Sequence, residues 1–420
     1  MVNLSPENPY VHLQQVLFGL EKGGKFKVWS IEVSESIGGK GIITIHHGQE
    51  GGKQTRKDEV LAEGFQGRNP VEQAVFEARA RIKKQLDKNY RATKEELTDL
   101  PVLAMLSKDH TKDGKAETVE KGVYTSDKLD GVRCLAKCTE SGVVLESRTG
   151  QPYDVPHIVA ELSQFMKPGD ILDGELYVHG PSLQEITSAV KRTDSEQKWG
   201  KAEAAYMKYA ERSDCTQVKC DELAEKLSDA KRVHDIRQSL EFHVFDIVEL
   251  DVPFCERRNN LAKYAMDNFM PGGCIVEVKY RFAISIEELN KQLKDCIDRG
   301  FEGIMYRTQD GLYESGKRSA GLWKYKLFFD EEFKIIGVGV DKQGYAVFEL
   351  LNNVNAEEFN CVLGDYNWRT EAVKQKELYI GKWMTVQYQS RYKGTLLPQF
   401  PTGKLIREGS VVDGKFIPSE

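Results

Sequence analysis

Short apolar runs separated by glycine-rich turns open the chain. VLFGL, KFKVWSIEV and GIITIHHG read as strands, because apolar and polar residues alternate within them and turn residues bound them. A helix is predicted from Asn69 to Asn89, where apolar residues recur at helical spacing. Asn69 suits the N-cap of this helix, and Pro70 suits its first position. Residues 1–95 are therefore predicted to form a small α+β accessory domain.

A polar linker, Ala92 to Leu100, precedes a second series of apolar runs. VVLES, DILDGELYV, EFHVFDIVEL, CIVEVKYRF and GIMYR alternate with polar or helical stretches, which indicates an α+β domain with antiparallel sheets over residues 100–328. Residues 196–238 are rich in Ala, Glu and Lys, so we expect helices inserted between two strands. This insertion is either a flap over a bound partner or a solvent-exposed helical segment with a structural role only. Its balanced charge favours the second interpretation.

The last part of the chain, residues 329–420, is predicted to be a small barrel. FKIIGVGV, YAVFELL, NCVLG and KWMTVQYQSRY are short strands at regular spacing with glycine-rich turns between them. An OB-fold is the small barrel that this pattern favours. The predicted fold class is therefore multidomain α+β, with a small N-terminal domain, a central antiparallel-sheet domain and a C-terminal OB-fold.

Composition limits the class of protein. The 420 residues, 40% of them hydrophobic and 30% charged, are typical of a globular protein of two or three domains. No apolar run approaches the roughly 18 residues of a membrane span, and the N-terminus has no leader pattern. The eight cysteines lack zinc-ligand spacing. We expect a monomeric protein of a reducing compartment, the cytoplasm, with no membrane partner.

The net charge of −6 does not by itself suggest a polyanionic partner. A large protein can nevertheless carry a local basic groove within an acidic total. Basic clusters occur at Arg79–Lys84, at Lys191 and Arg192, and along Gly316–Lys326. The first reads as the solvated face of a helix. The last is more informative, because its cations alternate with apolar residues in a strand-like segment.

The stretch KLDGVR carries the first chemical signal. Lys128 and Asp130 lie at i and i+2, so they share a face of an extended strand, and Gly131 lets the chain turn or approach a ligand closely. Six further short motifs follow in order: SRTG (147–150), DGEL (173–176), FD (245–246), EGIM (302–305), KYK (324–326) and PTGKLIRE (401–408). Each motif is common by chance, whereas seven in this order form a specific pattern.

This series resembles the covalent nucleotidyltransferase superfamily and, within it, the ATP-dependent DNA ligases. The resemblance runs from PVLAMLS to the C-terminal barrel. It implies that Lys128 attacks the α-phosphate of ATP and carries AMP as a phosphoramidate. AMP would then pass to the 5′-phosphate of nicked double-stranded DNA, and the 3′-hydroxyl would displace it. The implied cofactors are ATP and Mg²⁺, and the implied setting is DNA replication or repair, with a compact layout that would suit a phage enzyme.

A nucleophilic lysine needs a lowered pKa. A free lysine titrates near 10.4, so well under roughly 1% is the neutral amine at neutral pH. Nearby cations and a bound metal lower the pKa of an amine. We predict that Lys324, Lys326 and Mg²⁺ lower the pKa of Lys128 and neutralise the phosphates, since charge stabilisation carries most of phosphoryl transfer.

The resemblance also assigns acidic and aromatic residues. Glu175 and Glu302 are predicted to contact the ribose or the metal, and both lie where a purely structural glutamate would be an awkward choice. Asp130 is predicted near the 3′-hydroxyl or its metal. Phe245 is predicted to stack on the adenine face.

Four arginines are implied as phosphate contacts. Arg133 is placed on a phosphate at the nick, and Arg148 on the nucleotide or the 5′-phosphate. Arg318 is a further phosphate contact ahead of KYK. Arg407 lies where the last motif places a cation on the pyrophosphate leaving group, which would require the barrel to close over the site.

The chain departs from the family pattern at two places. Some ligases have a glutamate two residues before the lysine, and here that residue is Ser126. The last motif keeps Arg407 without the fuller charged pattern. An mRNA capping guanylyltransferase and an RNA ligase are alternatives, against which Glu302 and Arg133 argue. A non-catalytic nick-binding scaffold would need none of the lysine chemistry.

Residues 1–95 resemble, loosely, the WGR domain, a module associated with nucleic acid in several DNA-repair proteins. Trp29, the turn GQEGGKQTR and the following helix carry this resemblance. The Trp-Gly-Arg triplet is absent, and His47–Gln49 lies nearest to its place. The resemblance implies that this domain aids DNA binding.

Overall fold

The computed structural model describes residues 11–20, 25–97, 101–341, 343–392, 394–412 and 415–419. The first ten residues, which carry no predicted leader, and the end of the predicted linker at 98–100 lie outside the described residues. The chain forms two compact units, Met1–Lys324 and Tyr325–Glu420. The finer division of the first unit at residue 95 stays a prediction.

The first unit opens with an antiparallel sheet and one helix. Its elements are β1 (Val11–Leu20), β2 (Phe26–Glu35), β3 (Gly41–Gln49), β4 (Gln54–Leu61) and α1 (Pro70–Leu86), followed by a 3₁₀ turn (Glu95–Leu97). Leu17, Trp29 and Ile43 are buried in one cluster with Ala74 and Ala78 of α1. The predicted sheet and helix are confirmed, whereas the resemblance to a WGR domain stays a prediction.

The start of α1 agrees with its predicted signals. The Asn69 side chain accepts a hydrogen bond from Glu72 N, and the Glu72 carboxylate accepts one from Asn69 N. This reciprocal capping satisfies two backbone donors that the first turn leaves unpaired. Pro70 takes the first helical position, where the missing N–H costs nothing.

Two larger sheets follow in the first unit. In order of pairing, the six-stranded sheet contains β12 (Ile275–Glu277), β11 (Glu241–Ile247), β10 (Ile171–Tyr177), β7 (Val132–Thr139), β8 (Gly142–Ser147) and β9 (Pro152–Tyr153). The five-stranded sheet contains β13 (Arg281–Ala283), β6 (Val123–Asp127), β14 (Ile304–Thr308), β15 (Arg318–Tyr325) and β5 (Leu106–Asp109). The pairing is mainly antiparallel, as predicted. The pairs β11–β12 and β15–β5 are parallel, which alternation of apolar runs could not reveal.

Helices connect these strands. They are α2 (His110–Asp113), α3 (Ala116–Glu120), α4 (Pro156–Leu162), α5 (Leu183–Lys191), α6 (Ser195–Ala210), α7 (Gln217–Gln238), α8 (Phe254–Asn268) and α9 (Ile286–Asp298). The helices predicted for 196–238 are present as α6 and α7. Many of their charges pair along the helix surface, as Glu222 does with Lys219 and Lys226, which supports the structural interpretation of this insertion. Within the described ranges, no helix combines the length and apolar character of a membrane span.

The second unit contains a five-stranded antiparallel sheet in the order β18 (Glu358–Cys361), β17 (Ala346–Leu351), β16 (Phe329–Val340), β19 (Trp383–Tyr388) and β20 (Thr402–Arg407). Between β18 and β19 lie α10 (Tyr366–Lys374) and a 3₁₀ turn (Lys376–Leu378), and a hairpin of β21 (Gly409–Val412) and β22 (Lys415–Pro418) follows. The strand ladders do not close this sheet, but Gly403 N donates to Val362 O at 2.9 Å and joins its two edges. The predicted OB-fold is thus a partly open barrel, as that fold allows.

Buried ion pairs connect the two larger sheets of the first unit. Asp246 of β11 is buried and accepts hydrogen bonds from Arg257 Nε (2.9 Å) and Nη2 (3.1 Å). Arg307 of β14, in the opposite sheet, donates to the same carboxylate at 2.8 Å. A buried carboxylate is costly unless cations and hydrogen bonds compensate it. Asp246 therefore fixes the position of the two sheets relative to each other.

Replacing this carboxylate should destabilise the protein strongly. In Asp246→Asn, two buried guanidinium groups lose their counter-charge, and we expect a loss of about 3 kcal/mol in the free energy of unfolding. Urea unfolding followed by tryptophan fluorescence measures the change. Asp214→Asn removes an equally well-formed but exposed pair with Arg212 and should shift the midpoint little. Equal midpoints for the two variants would contradict this account.

Candidate active site

Lys128 lies at the end of β6, where the chain is held by backbone pairing to a distant segment. Its N–H donates to Gly303 O at 2.8 Å, and its carbonyl accepts from Glu302 N at 3.3 Å. Gly303 adopts a φ of 150°, a region that favours glycine. The side chain of Lys128 is 21% exposed and forms an ion pair with Glu302, whose side chain is 8% exposed. The structure thus brings together two motifs that are far apart in the sequence.

The environment of Lys128 lowers its pKa. Burial is the largest cause, and the guanidinium of Arg133 acts in the same direction, whereas the carboxylates of Glu175 and Asp130 raise the pKa. A lower pKa increases the fraction of neutral, nucleophilic amine at neutral pH. The predicted direction of the shift is therefore present, with burial and Arg133 as its causes in the described residues. The predicted contribution of Lys324, Lys326 and Mg²⁺ stays a prediction. Lys324 forms an ion pair with Asp109 at 3.3 Å.

Glu175 lies on β10, directly across from Arg133 on β7. Burial raises the pKa of Glu175 to about 7, against the opposing effects of Lys128 and Arg133. Gly131 allows the chain to pass close to β10, because a Cβ at this position would lie 2.8 Å from Glu175 Cγ and 2.5 Å from Leu176 O. The glycine of KLDG is therefore required by steric contact with the strand that carries the glutamate.

Arg133 makes a bidentate pair with a buried carboxylate. Its Nε and Nη2 each donate to Asp173 at 2.6 Å, and the Tyr313 hydroxyl donates to the same carboxylate at 2.6 Å. The guanidinium carbon lies 4.6 Å from the centre of the Phe245 ring. The structure places Arg133 in the wall of the site, where it supports Phe245 and contributes positive charge. Its predicted contact with a phosphate of the nick stays a prediction.

A β-bulge orients Phe245. Gly174 pairs with Val244 and Asp173 pairs with Asp246, so Phe245 is the extra residue of β11. A bulge redirects the side chains around it, and this one lets Phe245 and Asp246 both reach arginines of the site. The Phe245 ring is half-buried, with Arg307 5.6 Å from its centre. Alternation along EFHVFDIVEL could not predict this arrangement.

Asp173 and Asp246 were missed as site residues, although both belong to quoted motifs. Each is fully buried within a strand, where a charge is rare unless it is paired. An aspartate inside DILDGELYV or EFHVFDIVEL was the available signal. The partners of Asp246, which are Arg257 and Arg307, could not be identified, because pairing between distant segments leaves no mark on local sequence.

The remaining predicted cations are Arg148 and Arg318 in the first unit and Lys326 and Arg407 in the second. Arg148 is exposed in the turn after β8, and Arg318 is exposed on β15, where it donates to Ser107 O. Lys326 and Arg407 belong to the second unit. There Lys326 Nζ donates to Gln389 Oε1 at 3.2 Å, and Arg407 Nη1 lies 3.8 Å from Glu332 Oε1.

The carboxylates at the site are the oxygen donors that Mg²⁺ prefers, namely Glu175 and Glu302 with Asp130 as a further candidate. No group of three or more Asp, Glu, His or Cys side chains in the described part of the chain is arranged to hold a metal ion by itself. Mg²⁺ commonly binds one or two carboxylates together with water and substrate phosphates. The residues present fit that mode of binding.

The electrostatic coupling between Glu175 and Lys128 is testable. Glu175→Gln removes a carboxylate that raises the pKa of Lys128, so that pKa should fall further. Because only the neutral amine reacts, labelling of Lys128 by dilute acetic anhydride should begin at a lower pH in the variant. Mass spectrometry of the Lys128 peptide measures the midpoint, with Lys137, paired to Glu146 at 2.6 Å, as internal reference. An unchanged or higher midpoint would contradict the coupling.

Comparison with known proteins identifies the family. The model of the ATP dependent DNA ligase domain matches residues 101–326, more than half of the chain. DNA ligase of Enterobacteria phage T4 is 24% identical over 250 residues, covering 56% of this chain and 50% of the phage protein. DNA ligase of Archaeoglobus fulgidus is 28% identical over 219 residues, covering 50% of this chain and 33% of the archaeal one. The chain thus spans half or less of the length of these relatives.

Solved structures show the same fold. The structure named Pmar-Lig_PreS3 has a TM-score of 0.55 at 18% identity, covering 78% of this chain and 70% of that one. A structure from a structure-function study of Lig E DNA ligases has a TM-score of 0.51 at 20% identity, covering 74% of this chain and all of that one. With the family model matching the whole region that contains Lys128, Glu175, Phe245 and Glu302, the chain belongs to the ATP-dependent DNA ligase family.

Proposed function

We propose that this protein seals nicks in duplex DNA with ATP as cofactor, through an AMP adduct on Lys128. The observation that carries the proposal is the lysine itself. Lys128 is a mostly buried amine with a lowered pKa, held beside Glu302 and near Glu175. A scaffold that only binds nicks would gain nothing from placing an ammonium group where burial disfavours its charge.

In the first step, the Lys128 amine attacks the α-phosphorus of ATP. The N–P bond forms, the bond to the pyrophosphate oxygen breaks, and the amine gives up its proton. In the second step, an oxygen of the 5′-phosphate at the nick attacks the AMP phosphorus, the P–O bond forms, the N–P bond breaks and the Lys128 amine takes back a proton. The 3′-hydroxyl then attacks that phosphate, the phosphodiester forms and AMP leaves.

The other site residues would orient the nucleotide and stabilise charge. Glu175 and Glu302 would contact the ribose or Mg²⁺, and Phe245 would stack on adenine with Arg133 supporting its ring. Mg²⁺, which these carboxylates would help to hold, would supply positive charge. Asp130 would lie near the 3′-hydroxyl, since it is close enough to influence the pKa values of both Lys128 and Glu175.

Cations outside the Lys128 pocket would bind phosphates. Arg148 and Arg318 are both exposed and can reach DNA or nucleotide. Lys324, Lys326 and Arg407 would neutralise the triphosphate and its leaving group in the first step. We also propose that residues 1–95 act as a separate accessory domain that aids DNA binding, and that the protein acts as an intracellular monomer.

The deciding experiment is incubation of the purified protein and Mg²⁺ with α-labelled ATP, α-labelled GTP or adenylate-labelled NAD, followed by a denaturing gel. We expect label from ATP alone, and transfer of that label to nicked DNA followed by sealing. Lys128→Ala should take up no label while it stays folded, whereas Lys121→Ala, an exposed lysine near the same strand, should behave as the wild type.

The other outcomes are equally informative. Label from GTP would indicate capping chemistry. Sealing of nicked RNA duplexes but not DNA would indicate an RNA ligase. A Lys128→Ala variant that still takes up AMP would remove the central assignment.

A further inference from the structure

A groove lies between the first antiparallel sheet and the central sheets of the first unit. Its walls come from β1, β2 and the turn after α1 on one side, and from the loop that leads into β15 on the other. The cavity measures about 800 Å³. We call it the junction groove, defined by Lys27, Lys88, Glu314, Lys317 and Arg318.

The junction groove is basic in an acidic protein. Among its described lining residues, four are cationic and one, Glu314, is acidic. Lys27 and Lys88 come from the N-terminal side, and Lys317 and Arg318 come from the other side. All four are exposed, while the whole protein carries a net charge of −6. Such a local concentration of one sign attracts a polyanion even when the total charge does not.

The groove adjoins the segment that carries Arg148. Leu103 provides the link, because its side chain packs against Gly316 of the groove and against Gly150, which lies in the same turn as Arg148. If a Cβ were added to Gly316, it would lie 3.6 Å from Leu103 Cβ and 3.9 Å from Asn89 Nδ2. If a Cβ were added to Gly150, it would lie 3.6 Å from Leu103 Cδ2. The Leu103 N–H also donates to Ser315 Oγ at 2.9 Å. The groove and the turn of Arg148 are therefore connected through one residue.

The lining favours binding to backbone phosphates over stacking on bases. Tyr90 is the aromatic residue among the described residues of the lining. The Tyr90 ring lies against the backbone of Gly19. If a Cβ were added to Gly19, it would lie 2.8 Å from Tyr90 Cζ and 2.9 Å from Tyr90 Cε1. Proteins that bind single strands without sequence preference use open aromatic faces for stacking. Exposed lysines and arginine without such a face suit the sugar-phosphate backbone of a duplex.

We propose that the junction groove binds the sugar-phosphate backbone of duplex DNA next to the nick, so that the N-terminal domain and the ligase domain form one composite binding surface. This inference rests on the proposed function. It goes further, because it assigns the contact to one groove and requires cations from both of its walls.

The test is the salt dependence of binding by the full-length protein to a fluorescently labelled nicked duplex, in EDTA and without ATP. Lys27→Glu/Lys88→Glu should weaken binding at least about tenfold at about 50 mM salt and reduce the slope of log affinity against log salt by about two. Lys317→Glu, on the opposite wall, should act in the same direction with about half the change in slope. The matched control is Lys40→Glu/Lys57→Glu, which makes the same change of charge at two exposed lysines of the N-terminal region outside the groove.

Several outcomes would overturn the proposal. They are an unchanged slope in the groove variants, an equal loss in the control, a loss confined to the N-terminal wall, and a loss confined to single-stranded RNA or DNA. If Lys27→Glu/Lys88→Glu fails to fold by circular dichroism, Lys27→Gln/Lys88→Gln decides by the same slope measurement. Self-adenylylation from ATP needs no DNA and should equal that of the wild type in the groove variants. Failure of the wild type to adenylylate would refute the proposed function, and the binding slopes would still judge the groove.

Discussion

The cost of removing charges from water governs the central part of this protein. Asp173 and Asp246 are fully buried on adjacent strands, and each is tolerated because guanidinium groups compensate it. The Asp246 pairs join the two larger sheets, since Arg307 of one sheet donates to the Asp246 carboxylate of the other. The wall that they form also contains Arg133, whose charge lowers the pKa of Lys128. Structural stability and the pKa of Lys128 therefore both depend on charges in this buried network.

Within that network, the position of Lys128 is set by the backbone more than by its own side chain. Hydrogen bonds with Glu302 and Gly303 hold the end of β6 against the start of β14. The ion pair of Lys128 with Glu302 then forms between neighbours that the strands have already aligned. This arrangement is preorganised, which supports the proposed role of Lys128 as a nucleophile. The same packing explains the glycine in each of the two motifs, KLDGVR and EGIM. Gly131 contacts Glu175 closely, and Gly303 has a φ of 150°.

The peripheral elements follow simpler rules. The charges of the inserted helices α6 and α7 pair largely among themselves, as in Lys231 with Asp235. The charges of the junction groove are instead mostly of one sign, with Lys88 and Lys317 lining it from opposite walls. Balanced pairs are solvated surface, whereas a cluster of one sign creates a field that extends into solvent. This difference in charge distribution distinguishes the inserted helices α6 and α7 from the junction groove, which is a candidate binding surface.

The sequence by itself determined the elements and the motifs that contain the candidate site residues, because both depend on local order along the chain. Alternation of apolar and polar residues predicted the strands, and Asn69 and Pro70 predicted the start of α1. The ordered motifs, which contain Lys128, Glu175 and Glu302, indicated the family. The tertiary structure alone decided which charges meet. The parallel edge strands, the bulge at Phe245 and the burial that lowers the pKa of Lys128 arise from contacts between distant segments. Such contacts depend on how the sheets pack, and short-range sequence patterns do not predict that packing.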